Sequence, residues 1–179
     1  FLPFVRLNSS KFQVMSMDID NIPLHDNDPV VADPLRIIRH KITRLLARRE
    51  HSVAEIHQKL SQQHLDSDDV NYVLAQFIAK DIQSDARFTY HFVRNCMAKG
   101  QGLSRIKQAL YSHDISGAML AKALDELEPD WYELAYNVKC KKYSAVPETD
   151  WHLKQKQKRF LQYRGFGQDE IDYAVNRDL

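Results

Sequence analysis

A fifteen-residue pattern occurs three times in this chain, and it limits the possible folds more than any other feature. The copies begin at Leu60, Leu110 and Leu161, so the second and third start 50 and 101 residues after the first. They read LSQQHLDSDDVNYVL, LYSHDISGAMLAKAL and LQYRGFGQDEIDYAV, and they align without gaps. Apolar side chains fill the same columns in all three copies. Such a period is typical of a tandem array whose small units stack on one another.

The residues before and within each copy have the spacing of amphipathic helices. In the first unit apolar side chains recur at intervals of three and four, at Leu35, Ile38, Ile42, Leu45 and Leu46. Each unit is predicted to hold three helices, none of which buries its apolar stripe alone. Only five glycines and six prolines occur in 179 residues, which argues against the many turns of a β-sandwich or barrel. The predicted fold is therefore all-α, a tandem array of three three-helix repeats.

Local signals mark where the helices begin. The repeats are placed at residues 35–82, 83–128 and 129–179. Ser52 with Glu55, and Asp130 with Glu133, have the spacing of capping boxes, in which each side chain binds the backbone amide of the other residue. Glycine is the residue that best tolerates tight interhelix turns. All five glycines are expected there: Gly100, Gly102, Gly117, Gly165 and Gly167.

Residues 1–34 differ from the rest of the chain in composition. Between Asp18 and Asp33 there are five aspartates and no lysine or arginine. Such a segment has too little apolar surface to offset the entropy lost on ordering. We interpret residues 1–34 as a flexible acidic leader. The alternative is an acidic arm that docks on a basic partner or covers the protein's own basic face.

Motifs of catalysis and of metal or nucleotide binding are missing from the sequence. It contains no GxxxxGK[ST], HExxH or GxSxG motif. The run from Lys99 to Gly102 looks like a glycine-rich phosphate loop, but its position between two helices predicts a simple turn. Cys96 and Cys140 form no CxxC pair, and Cys96 is expected to be buried. We therefore expect a cytoplasmic protein without enzymatic activity, cofactor, metal or membrane span.

Charge is segregated along the chain, although the net charge is only +1. Residues 36–49 hold six basic side chains and no acidic one, and residues 139–164 hold eight basic side chains and two acidic ones. Clustered lysine and arginine create a local positive potential. A solvated helix face explains these clusters as well as contact with phosphates or an acidic protein surface does, and both interpretations stay open.

The second repeat carries a specific set of motifs. It begins with Asp-x-Arg-Phe, continues with an aromatic-Val-Arg triplet, Lys-Gly-x-Gly and Arg-Ile, and ends on a leucine. The residues are Asp85, Arg87, Phe88, Phe92, Val93, Arg94, Lys99, Gly100, Gly102, Arg105, Ile106 and Leu110. This pattern resembles the second repeat of the RecX family, which regulates the RecA recombinase. LLARREHSVAEIHQKL and KRFLQYRGFGQDEI resemble its first and third repeats, so the resemblance covers residues 35–179.

The resemblance implies an elongated, curved array of three three-helix repeats. It also implies a regulatory protein that binds RecA and its filament on single-stranded DNA. Such a protein lowers the ATPase, strand-exchange and coprotease activities of RecA in recombination, repair and the SOS response. Electrostatic contacts with this partner are expected from basic residues of the second and third repeats: Arg94, Lys99, Arg105, Lys107, Lys154, Lys158, Arg159 and Arg164. Six side chains are expected in the core instead: Phe88, Phe92, Ile106, Leu110, Phe166 and Ile171. A monomer is expected.

Two other functions remain possible at this stage. Short helices joined by tight turns also describe helix-turn-helix proteins, which bind DNA directly. The predicted third helices, such as DDVNYVLAQFIAK, are mostly apolar or acidic, which disfavours sequence-specific recognition of bases. Weak, non-specific DNA binding through the basic patches is the remaining form of this alternative. A helical adaptor with an unrelated partner is the other.

Overall fold

The computed structural model describes residues 33–146 and 148–177, which form nine helices and no strand. The predicted all-α array of three three-helix repeats is confirmed. The first repeat holds α1 (Pro34–Leu46), α2 (Val53–Ser61) and α3 (Ser67–Ala79); the second holds α4 (Asp85–Ala98), α5 (Leu103–Tyr111) and α6 (Gly117–Leu127); the third holds α7 (Trp131–Lys142), α8 (Trp151–Tyr163) and α9 (Gln168–Asn176). Most of the predicted acidic leader lies outside the described residues. Its last two residues begin α1, where Asp33 caps the helix and Pro34 is its first residue.

Each repeat has its own hydrophobic core, in which the first and third helices pack most closely. The predicted apolar stripe of α1 points inward through Ile38 and Ile42, which meet Ile56, Leu60 and the buried face of α3. The equivalent cores of the second and third repeats centre on Ile106 and Leu161. Burial of one such aliphatic side chain contributes about 1.5–3 kcal/mol. The repeated apolar columns of the sequence are therefore the core positions of the three repeats.

Five of the six predicted core side chains of the second and third repeats are buried, and one is not fully so. Phe92 is half-buried on α4, where its ring packs against the His113 ring with a centroid distance of 5.4 Å. The other five are Phe88, Ile106, Leu110, Phe166 and Ile171. Cys96 is buried as expected, and its burial raises the pKa of the thiol.

The two predicted capping boxes form only in part. The Ser52 hydroxyl accepts a hydrogen bond from the Glu55 amide at 3.1 Å, and an Asp130 carboxylate oxygen accepts one from the Glu133 amide at 2.9 Å. The predicted bonds in the other direction, from the Ser52 and Asp130 backbone amides to the glutamate carboxylates, do not form. Both glutamates bind arginine instead. Glu55 pairs with Arg49, and Glu133 pairs with Arg177. A charge-assisted bond to a guanidinium is stronger than a bond to a backbone amide.

Four of the five glycines lie in interhelix turns, as the sequence predicts. Gly117 does not, because it is the first residue of α6, which Ser116 caps through a bond from the Met119 amide. Gly100 and Gly165 have φ angles of +69° and +89°. Glycine adopts that conformation most easily, although His64 and Asp114 have φ angles of +55° and +57° at the turns equivalent to that of Gly165. What excludes a side chain at Gly100 and Gly165 is space, because a β-carbon would lie 2.6 Å from Val138 or 2.5 Å from the Arg105 nitrogen.

Candidate functional site

The second and third repeats meet through two glycine turns. The Gly102 amide donates to the Arg164 carbonyl at 2.9 Å, and the Ser104 amide donates to the Gly165 carbonyl at 3.1 Å. A β-carbon on Gly102 would overlap the Gly165 carbonyl group, and one on Gly165 would lie 2.5 Å from the Arg105 nitrogen. The two backbones approach this closely only because neither glycine has a side chain.

Two arginines predicted to bind a partner strengthen this junction. Arg164 Nη1 donates to the Lys99 carbonyl at 2.7 Å, and its guanidinium lies over the Phe160 ring, 5.2 Å from the centroid. Arg105 Nη1 donates to the Tyr163 carbonyl at 3.1 Å. A guanidinium has five N–H donors, so each of these bonds leaves donors for another ligand. Both arginines therefore hold the junction and present charge beside it.

A cleft of about 510 Å³ opens next to the turn, between α4, α7 and α8. We call it the basic cleft, because four of its lining side chains are cationic and none is acidic. These are Lys99, Lys141, Lys142 and Arg164. Asn137 and the Phe160 ring also line it, and Lys142 Nζ lies 4.0 Å from the Phe160 centroid. A concave surface lined by charge of one sign concentrates its potential and attracts anions.

Lys141 and Lys142 are the residues of this cleft that the sequence analysis did not single out. They belong to the basic run that begins at Lys139, but Lys139 itself is only 1% exposed and donates to the Ser144 carbonyl at 3.0 Å. The signal in the sequence was the presence of three lysines within four residues of one helix, Lys139, Lys141 and Lys142. It could not be used without knowing which face of α7 packs inward.

The other predicted site residues are spread over the second and third repeats. Lys158 pairs with Asp172 at 2.6 Å, and this hydrogen bond is the main reason why the pKa of Asp172 lies below its ordinary value. The remaining four make no ion pair with the described part of the chain. Arg94 on α4, Lys107 on α5 and Arg159 on α8 are exposed, and Lys154 on α8 is half-buried. Of the eight predicted residues, the structure thus brings together Lys99, Arg105 and Arg164.

Arg87 shows that a basic residue of the motif can be structural. At the junction of the first and second repeats it binds Glu50 at 3.0 Å and Asp81 at 2.7 Å, and it donates to two backbone carbonyls. Asp85 accepts a hydrogen bond from the Val53 amide at 2.9 Å, so the side chain of α4 satisfies an amide at the start of α2. The Asp-x-Arg-Phe motif therefore joins two repeats.

Domain models of one protein family match all three repeats. They are described as the first, second and third three-helix domains of RecX, and they match residues 39–77, 84–124 and 128–175. The chain belongs to the RecX family.

Curated relatives carry the name Regulatory protein RecX. The protein from Acinetobacter baylyi is 38% identical over 133 residues, which are 74% of this chain and 82% of the relative. The protein from Vibrio parahaemolyticus is 34% identical over 132 residues, 74% and 85% of the two chains.

Solved RecX structures share the fold. A structure titled as a regulatory protein RecX has a TM-score of 0.68 at 20% identity, over 82% of this chain and 75% of that one. RecX from Lactobacillus salivarius has a TM-score of 0.66 at 22% identity, over 81% and 96% of the two chains. Among the described residues of the present chain, no helix is long and apolar enough to cross a membrane.

Proposed function

We propose that this protein binds the RecA recombinase and its filament on single-stranded DNA, and that binding lowers the ATPase, strand-exchange and coprotease activities of RecA. Membership of a family of regulatory proteins supports this role. The observation that carries it is the basic cleft, a concave surface lined by four cationic side chains and no acidic one at the junction of the second and third repeats. The protein would act in the cytoplasm as a monomer, by contact and not by catalysis.

The basic cleft suits an acidic protein surface. Its four cations lie on three different helices or their ends, and the hydrogen bond from the Arg164 guanidinium to the Lys99 carbonyl fixes the Arg164 charge. Charges that are fixed before binding lose little conformational entropy when a partner arrives. Arg94, Lys107, Lys154 and Arg159 extend the proposed contact surface beyond the cleft, whereas the charge of Lys158 is partly neutralised by Asp172.

The test is ATP hydrolysis by the cognate RecA on single-stranded DNA, measured while this protein is added at two salt concentrations. Inhibition at amounts well below one molecule per RecA supports an effect on filament growth. Inhibition only at amounts that coat the DNA supports the alternative of non-specific DNA binding through the same phosphate-compatible charges. Lack of inhibition by the folded protein would overturn the proposed function and leave a helical adaptor.

Charge-reversal variants locate the contact. Lys141→Glu combined with Lys142→Glu should raise the inhibitory concentration at least about tenfold, because each lost charge contact is worth about 1 kcal/mol. The matched control reverses Lys80 and Lys122, which are exposed cations outside the cleft. Equal effects of the two double variants would mean that only net charge matters.

A further inference from the structure

A second cavity, of about 480 Å³, lies between α5 and the end of α8. We call it the polar groove, because most of its lining side chains are polar and none is acidic. They include Ser104, Arg105, Gln108, Gln162 and Tyr163. The only aliphatic side chain is that of Ala109. The volume is within the range of small-ligand sites, but the lining is too polar for an apolar ligand.

Tyr163 presents its ring to solvent at the edge of this groove. Its side chain is 80% exposed, so the ring is not part of the core of the third repeat. Its backbone is held in place, because its carbonyl accepts the hydrogen bond from Arg105 at 3.1 Å. The next two residues, Arg164 and Gly165, are bonded to the second repeat through their carbonyls. An exposed aromatic ring therefore stands on a fixed backbone beside a guanidinium.

We propose that the polar groove binds single-stranded nucleic acid, with one base stacked on the Tyr163 ring and the adjacent phosphate held by Arg105. Stacking on an aromatic ring beside a cationic groove is the general mode by which proteins bind single strands without sequence preference. The side-chain amides of Gln108 and Gln162 make no hydrogen bond with the described part of the chain. The NH2 donors and the carbonyl acceptors of both side chains are therefore available to a base edge.

Two neighbouring features favour a nucleic acid over a protein. The turn at residues 163–165 lines both cavities, since Arg164 belongs to the basic cleft while Tyr163 and Gly165 belong to the polar groove. Neither cavity has an acidic side chain in its lining, so both suit the phosphates of one nucleic-acid strand. Tyr111 is 86% exposed and lies three residues after Gln108 on α5, which places a second exposed ring one helical turn further along.

This inference goes beyond the proposed function, because it concerns binding by the protein without RecA. Fluorescence anisotropy of a labelled single-stranded oligonucleotide of about 16 nucleotides measures it directly. Tyr163→Ala should weaken binding by about tenfold, the loss expected for one stacked base, while Tyr163→Phe keeps the ring and the affinity. Tyr72→Ala is the matched control, because Tyr72 is 57% exposed on the first repeat, away from both cavities.

An abasic oligonucleotide of the same length separates stacking from charge. The wild-type protein and Tyr163→Ala should bind it equally, because it has phosphates and no bases. Equal affinities of these two proteins for the normal oligonucleotide would overturn the proposal, and so would failure of the wild-type protein to bind it. If Tyr163→Ala weakened only RecA binding, the groove would be a protein contact and the nucleic-acid proposal would be wrong. Because RecA is absent from the anisotropy assay, failure of the nucleic-acid proposal there would not count against the RecA proposal.

Discussion

Gly102 and Gly165 touch backbone to backbone, where the second repeat meets the third. The contact leaves no room for a β-carbon on either residue, and the bonds from Gly102 and Ser104 to the Arg164 and Gly165 carbonyls run directly beside it. The two repeats can therefore approach this closely only because neither of these residues has a side chain. The basic cleft and the polar groove both border this contact.

The first prediction concerns Gly102. In Gly102→Ala the new methyl group meets the Gly165 carbonyl and the Phe166 nitrogen, so we expect the free energy of unfolding to fall by about 2 kcal/mol, as for other overpacked sites. Urea unfolding followed by circular dichroism measures this. Gly117→Ala is the control, because nothing lies within 4 Å of its β-carbon; a gain of about 0.5 kcal/mol is expected there. Equal stabilities of the two variants would contradict the account of the junction.

The second prediction concerns Arg87. Removal of its guanidinium in Arg87→Ala leaves Glu50, whose Oε2 is buried without a hydrogen bond among the described residues, with no counter-charge. We expect a loss of about 2 kcal/mol, the range for hydrogen bonds to charged groups. Arg94→Ala on the same helix serves for comparison, since an exposed side chain without an ion pair contributes within about 0.5 kcal/mol. A loss of the same size at Arg94 would show that α4 itself, not the junction, is sensitive.

The third prediction concerns pH and His51. The side chain is buried beside Arg49, Glu55 and Lys59, and its burial is the main reason why its pKa lies below the ordinary value of 6.5. As the pH falls below 6.5, the unfolded chain binds a proton that the folded protein resists. The free energy of unfolding should therefore decrease, by at most about 1.4 kcal/mol per pH unit.

Urea unfolding at a series of pH values tests this, with the slope as the readout. His51→Gln should make the decrease below pH 6.5 shallower, whatever its effect on stability at neutral pH. His40→Gln, on the exposed face of α1, should keep the wild-type slope. If the two variants had the same slope, protonation of His51 would not account for the pH dependence.

The sequence predicts the repeats well because each core position requires an apolar residue at a fixed spacing. Leu60, Leu110 and Leu161 are buried in equivalent places, and each repeats its residue type as well as its spacing. The sequence predicts equally well the hydrogen bond from a backbone amide in the first turn to the side chain of the cap residue. The Ser52 hydroxyl can reach few amides other than those of the first turn, so its partner follows from three residues of sequence.

Interactions between repeats are much harder to predict from the sequence than the core positions are. Arg87 adds to the positive charge that the sequence shows, yet the structure neutralises it with Glu50 and Asp81, the former 37 residues away. Lys139 and Lys142 are the same residue type on one helix, but one is buried and the other lines the basic cleft. Which basic residue pairs internally depends on how adjacent repeats dock. That docking is determined by long-range contacts that no local spacing encodes.

The two junctions are built from different kinds of bond. Side chains carry every hydrogen bond between residues 33–82 and α4, through Arg87, Asp85 and their partners. Between the turns at Gly102 and Gly165, two backbone amide–carbonyl bonds form, and the Arg105 and Arg164 guanidiniums add bonds to backbone carbonyls without any ion pair among the described residues. Dissolved salt weakens ionic contacts and leaves amide–carbonyl bonds almost unaffected. We therefore expect the second and third repeats to enter a complex as one preassembled piece, while the first repeat can reorient as ionic strength rises.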